Sequence, residues 1–359
     1  MRKVWPVVVL LCTSLLLSAF LGELVLRWGM GKPVHFRYPQ PWYLHDAEIG
    51  HWLKPNQRSF THDKPVVVNS IGIRGAEYSR EPAPGTHRIL ALGDSQTFGN
   101  GLAEPDTWPA LLEQQLSGRG RGPWEVVNGG VAATDTWQHV HILRRLAAVY
   151  AFDGVVLAFY VNDVTLRYKP GPAHELTNTR AKRISYFLKR SAVLALLWRT
   201  YQGFAMSWDA EQERKILTGE LSATVEQGWE EVERSLSEMA QLTEELDVEL
   251  LLVVLPHRGQ VTNELDAVAY NERIAAVASQ LGIETIDVLL EMREAYARDG
   301  GDFFVPWDGH NAPAANTVIA RALAVPALVN FARTDRESGG TGRAPEVDPA
   351  ALPLDGIRP

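Results

Sequence analysis

A serine hydroxyl becomes a useful nucleophile when a base can take its proton and an acid holds the far side of that base. This 359-residue chain carries such residues at widely separated positions. Ser95 lies in the stretch Arg88 to Asn100, RILALGDSQTFGN, and Asp308 and His310 lie in DFFVPWDGHN, Asp302 to Asn311. In that set Ser95 is the nucleophile, His310 the base and Asp308 the orienting acid. A developing oxyanion needs donors already aimed at it. The backbone N–H groups of Ser95 and Gly130 and the amide NH₂ of Asn162 can supply them. His257 and Gln96, the latter beside the nucleophile, are candidate substrate contacts. The plainer alternatives are that Asp94 and Ser95 cap a turn and that His257 is a loop histidine. His139 and His141 sit on a predicted helix and read as structural, and His45, His51 and His62 lie in a neck segment. No His-Glu-x-x-His spacing is present, so neither a metal nor another cofactor is expected.

For these residues to meet, the elements between them must bring one end of each to a common edge. Ile89 to Leu92 is a short apolar run that stops at Gly93-Asp94-Ser95, as a buried strand leaving a sheet does. Trp124 to Asn128 runs into Gly129-Gly130, and Gly154 to Tyr160 runs into Val161-Asn162-Asp163. Two further strands are predicted at Val248–Leu255, ending at Pro256-His257-Arg258, and at Ile283–Asp287. Helices are predicted between them: one beginning near Asp106 with Pro109 in its first turn, then Trp137–Ala148, Ser222–Glu245 and Ala267–Leu281. A last helix, Pro313–Phe331, begins beside Asp308 and His310. Strands alternating with helices indicate an α/β fold with a parallel sheet. Such sheets bind ligands outside the carboxyl ends of their strands.

The flanking segments read differently. Val4 to Gly22 has no charged residue and follows Arg2 and Lys3; it is long enough to cross a bilayer. No good small-x-small cleavage site follows, so an uncleaved signal anchor over residues 1–27 is expected. The N-terminus is then cytoplasmic and the body exported, although Arg27, Lys32 and Arg37 on the other flank oppose that bias. Residues 28–87 are rich in Pro, Gly and aromatics and read as a neck with little regular structure, packing on the body. Residues 165–228 interrupt the strand–helix rhythm as an insertion. Within it, Ala181 to Arg199 is a basic, strongly apolar helix candidate. It is either packed on the body with Lys and Arg reaching outward, or a lid or a helix on the membrane surface. Residues 334–359 read as a disordered tail. The net charge is −8 with no basic, aromatic-interleaved run, so nucleic acid is not an expected partner. The one cysteine, Cys12, lies in the apolar run, so the body can form no disulfide.

The blocks GDSQTFG, Asn128-Gly129-Gly130, Val161-Asn162-Asp163 and Asp308-Gly309-His310-Asn311 resemble, in order, those of the SGNH (GDSL-like) hydrolase superfamily, and the tethered form resembles a membrane-anchored bacterial subgroup. The resemblance spans Arg88 to Phe331. It implies a flavodoxin-like three-layer α/β/α sandwich over residues 88–333, with Ser95 as nucleophile, Gly130 and Asn162 as oxyanion donors, His310 as base and Asp308 as acid. Gln96 stands where the family's short name has leucine. The acid is one residue closer to the histidine than in the commonest Asp-x-x-His spacing, an arrangement similar to that of alginate-acetylating relatives. The implied activity is ester hydrolysis through an acyl-enzyme, removing small acyl groups such as acetyl from carbohydrate or lipid outside the cytoplasm. The alternatives are an O-acyltransferase with the same intermediate, modifying an exported polysaccharide, and an inactive tethered binding module.

Overall fold

A computed structural model describes residues 4–30, 33, 35–119, 122–165, 180–205, 207–300, 302–306 and 308–331. Part of the insertion (166–179), Trp307 and the tail lie outside the described residues. The apolar N-terminal run forms α1 (Val4–Met30), which continues past residue 27. Within its Trp5–Gly29 stretch 18 consecutive residues have mean hydropathy 2.2, and the stretch is long and apolar enough to cross a membrane.

The neck departs from expectation by forming two antiparallel hairpins. The first pairs β1 (Tyr43–Asp46) with β2 (Gly50–Leu53), and the second pairs β3 (Arg58–Thr61) with β4 (Lys64–Val67). The second turn, His62-Asp63, lacks the Asn-Gly or Asp-Gly signature of a tight hairpin. His62 instead takes the left-handed conformation itself, with φ 52°. Its backbone is clamped by one side chain: the His62 N–H donates to Gln40 Oε1 at 3.2 Å, and the His62 carbonyl accepts from Gln40 Nε2 at 2.9 Å.

The body begins with β5 (His87–Leu92), α2 (Ser95–Phe98), α3 (Trp108–Ser117), β6 (Trp124–Asn128), α4 (Thr136–Val149) and β7 (Gly154–Phe159). The insertion holds α5 (Arg180–Leu188), α6 (Ala192–Ala205) and α7 (Ser207–Thr218). After it come α8 (Ala223–Glu245), β8 (Glu249–Val254), α9 (Arg258–Val261), α10 (Ala269–Gln280), β9 (Glu284–Asp287), α11 (Leu289–Asp299) and α12 (Pro313–Phe331). The expected single helix over Ala181–Arg199 is thus broken at residues 189–191.

The five body strands form one parallel sheet in the order β6-β5-β7-β8-β9. The runs Ile89–Leu92, Val155–Phe159 and Leu250–Val254 are apolar without a break because both faces of the sheet are covered there. Leu90, Leu92, Val155, Leu157 and Val254 face a core built with α4, α8 and α10. Their neighbours Ile89, Ala91, Val156 and Val253 face a second core built with α3, α11 and α12. This is a three-layer α/β/α sandwich with flavodoxin-like strand order. In such an order the chain reverses direction across the sheet beside its first strand, and the crevice opened there receives ligands. Here that crevice lies between the carboxyl ends of β5 and β7.

Candidate active site

The loop after β5 is shaped by close approach. Gly93 has φ 149°, and a Cβ there would come within 2.2 Å of Thr97 Oγ1. Asp94 then caps α2, accepting the Gln96 N–H at 2.8 Å, so Ser95 is the first helical residue and sits half-buried at the crevice. The far end of α2 is held from the neck. Arg74, fully buried, donates to the carbonyls of Phe98, Gly99 and Leu102 at 2.7, 2.9 and 2.7 Å. Burial lowers its pKa to about 10, which leaves it cationic at neutral pH.

Asp308 and His310 ride on the loop that leads into α12, which spans Pro313–Phe331 as expected. A bridge between Phe304 and Asn311 and a hydrogen bond from the Val305 N–H to the His310 carbonyl (2.7 Å) pin that loop. Gln96, 6% exposed, accepts the Asn311 N–H at 3.1 Å and so ties the loop to α2. His310 Nε2 lies 2.8 Å from Ser95 Oγ, and His310 Nδ1 is bonded to Asp308. Residues 215 apart in sequence thereby share one hydrogen bond. Burial works against the ionised form of each partner. Hydrogen bonds from His310 and His62 nevertheless hold Asp308 well below the usual carboxylate range. The carboxylate of Asp308 correspondingly raises His310 above its ordinary value.

His62, a neck histidine by its sequence position, also reaches this site. Its Nε2 lies 3.2 Å from Asp308 Oδ2, the carboxylate oxygen that His310 does not use. Its Nδ1 has no partner among the described residues and packs against Gly101, where a Cβ would come within 2.5 Å. The tautomer that fits is therefore the one with its proton on Nε2, donating to Asp308. No local pattern announces this contact, because it depends on the hairpin turn docking against the distant 302–312 loop.

The three predicted oxyanion donors lie on adjacent strand ends. Gly130 follows β6 so closely against α2 that a Cβ would meet Phe98 N at 2.3 Å; its own N–H is donated to Asn128 Oδ1 at 3.0 Å. Asn162, in the turn after β7, donates one amide hydrogen to Asp94 Oδ2 at 2.7 Å and has a second to offer. Asp94 also lies 3.4 Å from Ser95 Oγ, and burial raises its pKa. His257, after β8, caps α9 by accepting the Gly259 N–H at 3.1 Å. Its pKa is lowered by burial and by Arg258. Among the described residues no cluster of His, Cys, Asp and Glu suits a metal ion.

Behind Asp308 a cavity of about 970 Å³ opens between the end of α1, the neck and the 302–314 segment, lined by Arg27, His62, Arg190, Asp302 and Val305 among others. Ser95 does not line it.

The arrangement can activate a serine, store its proton and face a tetrahedral centre with amide donors. The sequence profile of the GDSL-like lipase/acylhydrolase family matches residues 91–314. No curated protein matches the chain. Among solved structures, it is similar to TesA (19% identity, 67% of this chain and 98% of that one, TM-score 0.41). It is also similar to the lipase/acylhydrolase from Enterococcus faecalis (14% identity, 69% and 100%, TM-score 0.41). A third is the acetyl xylan esterase AlAXEase (14% identity, 67% and 98%, TM-score 0.42).

Proposed function

Because this chain belongs to the GDSL-like lipase/acylhydrolase family, we propose that its ester-hydrolysing chemistry runs through Ser95, His310 and Asp308. The carrying observation is the 2.8 Å contact between His310 Nε2 and Ser95 Oγ, with Asp308 on the other ring nitrogen. Ser95 Oγ attacks the ester carbonyl as His310 Nε2 takes its proton. The imidazolium so formed is stabilised by Asp308, whose second oxygen is held by His62. The oxyanion collects the second amide hydrogen of Asn162 and the N–H groups of Ser95 and Gly130, the latter turning from Asn128 Oδ1. His310 returns the proton to the leaving alkoxide, and the acyl group remains on Ser95. Water, deprotonated by His310, then attacks the acyl carbonyl, and His310 passes that proton to Ser95 Oγ as the acid leaves.

The acyl group is small, acetyl being the simplest, and its carrier is a carbohydrate or a lipid. With Arg2 and Lys3 before an apolar helix, the body works on the non-cytoplasmic side of the membrane. A fluorophosphonate probe with peptide mapping tests the assignment on the full-length protein. Label on Ser95, abolished in His310→Ala, is expected; label on another serine refutes it.

A further inference from the structure

In a water-soluble domain a helix turns its apolar stripe inward. α5 and α6 do the reverse. Ile184, Phe187 and Leu188 of α5 are 60%, 64% and 46% exposed. Leu194, Leu197, Trp198 and Tyr201 of α6, spaced as one helical stripe, are 40%, 61%, 40% and 62% exposed. Single exposed apolar residues are ordinary, but seven on two consecutive helices form a patch that needs a partner.

The partner is indicated by what α6 rests on. Its first N–H groups, on Ala192 and Val193, donate to the Glu23 carboxylate of α1 at 2.9 and 3.1 Å, and the Ser191 hydroxyl donates to it at 2.8 Å. Arg27 of α1 donates to the Arg190 carbonyl at 2.8 Å. The break between α5 and α6 is thus pinned to the apolar helix at Glu23 and Arg27. The uncharged run Val4–Gly22 rises about 28 Å as a helix, the depth of a hydrocarbon core. Glu23 is the next residue, so it falls at the bilayer interface and brings the start of α6 to that level. Arg183, Lys189, Arg190 and Arg199 flank the stripe. Basic side chains beside Trp, Phe and Leu are the composition of helices that lie in the headgroup region. Trp198 and Tyr201 belong to the residue types enriched there.

From this we infer that α5 and α6 lie in the surface of the same bilayer that α1 crosses, with the 184–201 apolar face in contact with phospholipid acyl chains. The inference rests on α1 spanning the membrane, and the body is then held against the membrane at two points. The test uses the full-length chain with Cys12→Ser, reconstituted in phosphatidylcholine–phosphatidylglycerol vesicles containing doxyl-labelled phosphatidylcholine. An environment-sensitive fluorophore is attached at Leu16→Cys, Leu197→Cys or Glu238→Cys in turn. Quenching at 197 close to that at 16, with none at 238, is expected. Quenching at 16 but not at 197 overturns the inference while leaving the anchor intact. No quenching at 16 removes the anchor and the inference together, without bearing on the Ser95 chemistry.

Discussion

His310 and His139 each lie beside an aspartate near the carboxyl end of the sheet, yet burial resolves the two pairs in opposite directions. Asp308 receives two ring nitrogens, from His310 and His62, and stays ionised. The pair is oriented to store a proton. Asp163 lies 3.7 Å from His139 Nδ1, beyond hydrogen-bond reach, and that nitrogen has no partner among the described residues. Both side chains are at most 1% exposed. Burial pushes His139 down to about 3. Burial, reinforced by the charge of Asp94, raises Asp163 well above the carboxylate range. Asp163 accepts from the Tyr160 N–H and the Thr136 hydroxyl, so it folds the turn that presents Asn162. The same two residue types therefore make a charged relay where ring nitrogens are within hydrogen-bond reach of the carboxylate, and a buried structural post where the carboxylate accepts from a backbone N–H and a hydroxyl instead.

The strongest way to break this contrast is at the relay's reactive end. Ser95→Ala and His310→Ala should each lower kcat for p-nitrophenyl acetate by at least about 10³-fold. Wild-type rates in either would refute the role of the relay. Asp308→Asn should cost nearly as much, about 10³-fold, in the same assay. In the wild type the base must be neutral, so kcat/KM should rise with pH through a midpoint above 6.5, the ordinary histidine value. In Asp308→Asn the midpoint of the residual activity should fall.

His62 sharpens the comparison, since it brings a second ring nitrogen to Asp308, whereas Asp163 has none within hydrogen-bond distance. His62→Asn tolerates the left-handed turn but cannot reach Asp308. It should lower kcat about 10-fold with KM little changed, whereas His62→Gln, which keeps a donor at similar reach, should recover most of that loss. Equal rates in the two variants would make His62 a packing residue only.

The smallest effects belong to the buried pair and are read as stability. Asp163 has a folded pKa above its unfolded value, so the stability it contributes is present at low pH and lost as pH rises. Asp163→Asn should therefore raise Tm at pH 8, leave it nearly unchanged near pH 4, and change kcat by less than about threefold. His139 has the opposite sign, being a base with a depressed folded pKa. Its contribution is complete above pH 6.5 and is lost as pH falls toward 3, at up to about 1.4 kcal/mol per pH unit. His139→Gln should flatten that slope in denaturant titrations followed from pH 7 to pH 4.

Much of the body is legible in the sequence. The run Ile89–Leu92 ending at Gly93 and the runs ending at Gly130 and Asn162 are strands, and their tips converge on one crevice. Short apolar runs and the turn residues that stop them act over a few residues, so their outcome is written locally. The neck's second hairpin is not legible in the sequence because it turns on His62, where tight hairpins favour Asn-Gly or Asp-Gly. The break in the 181–199 segment leaves no local signal because the cap that restarts the helix at Ala192 is Glu23, 169 positions away.

The sequence alone determined that a serine and two candidate amide donors stand at the ends of sheet strands, that an aspartate and a histidine stand just before the last helix, and that an apolar helix precedes them all. Only the tertiary structure decided that Asp308 serves two histidines while Asp163 is left without a ring nitrogen in reach. It alone also set α6 on Glu23 with its apolar face outward. Local sterics and hydrophobic periodicity select the elements, whereas ionisation and partnership depend on donors and burial contributed by segments far apart along the chain.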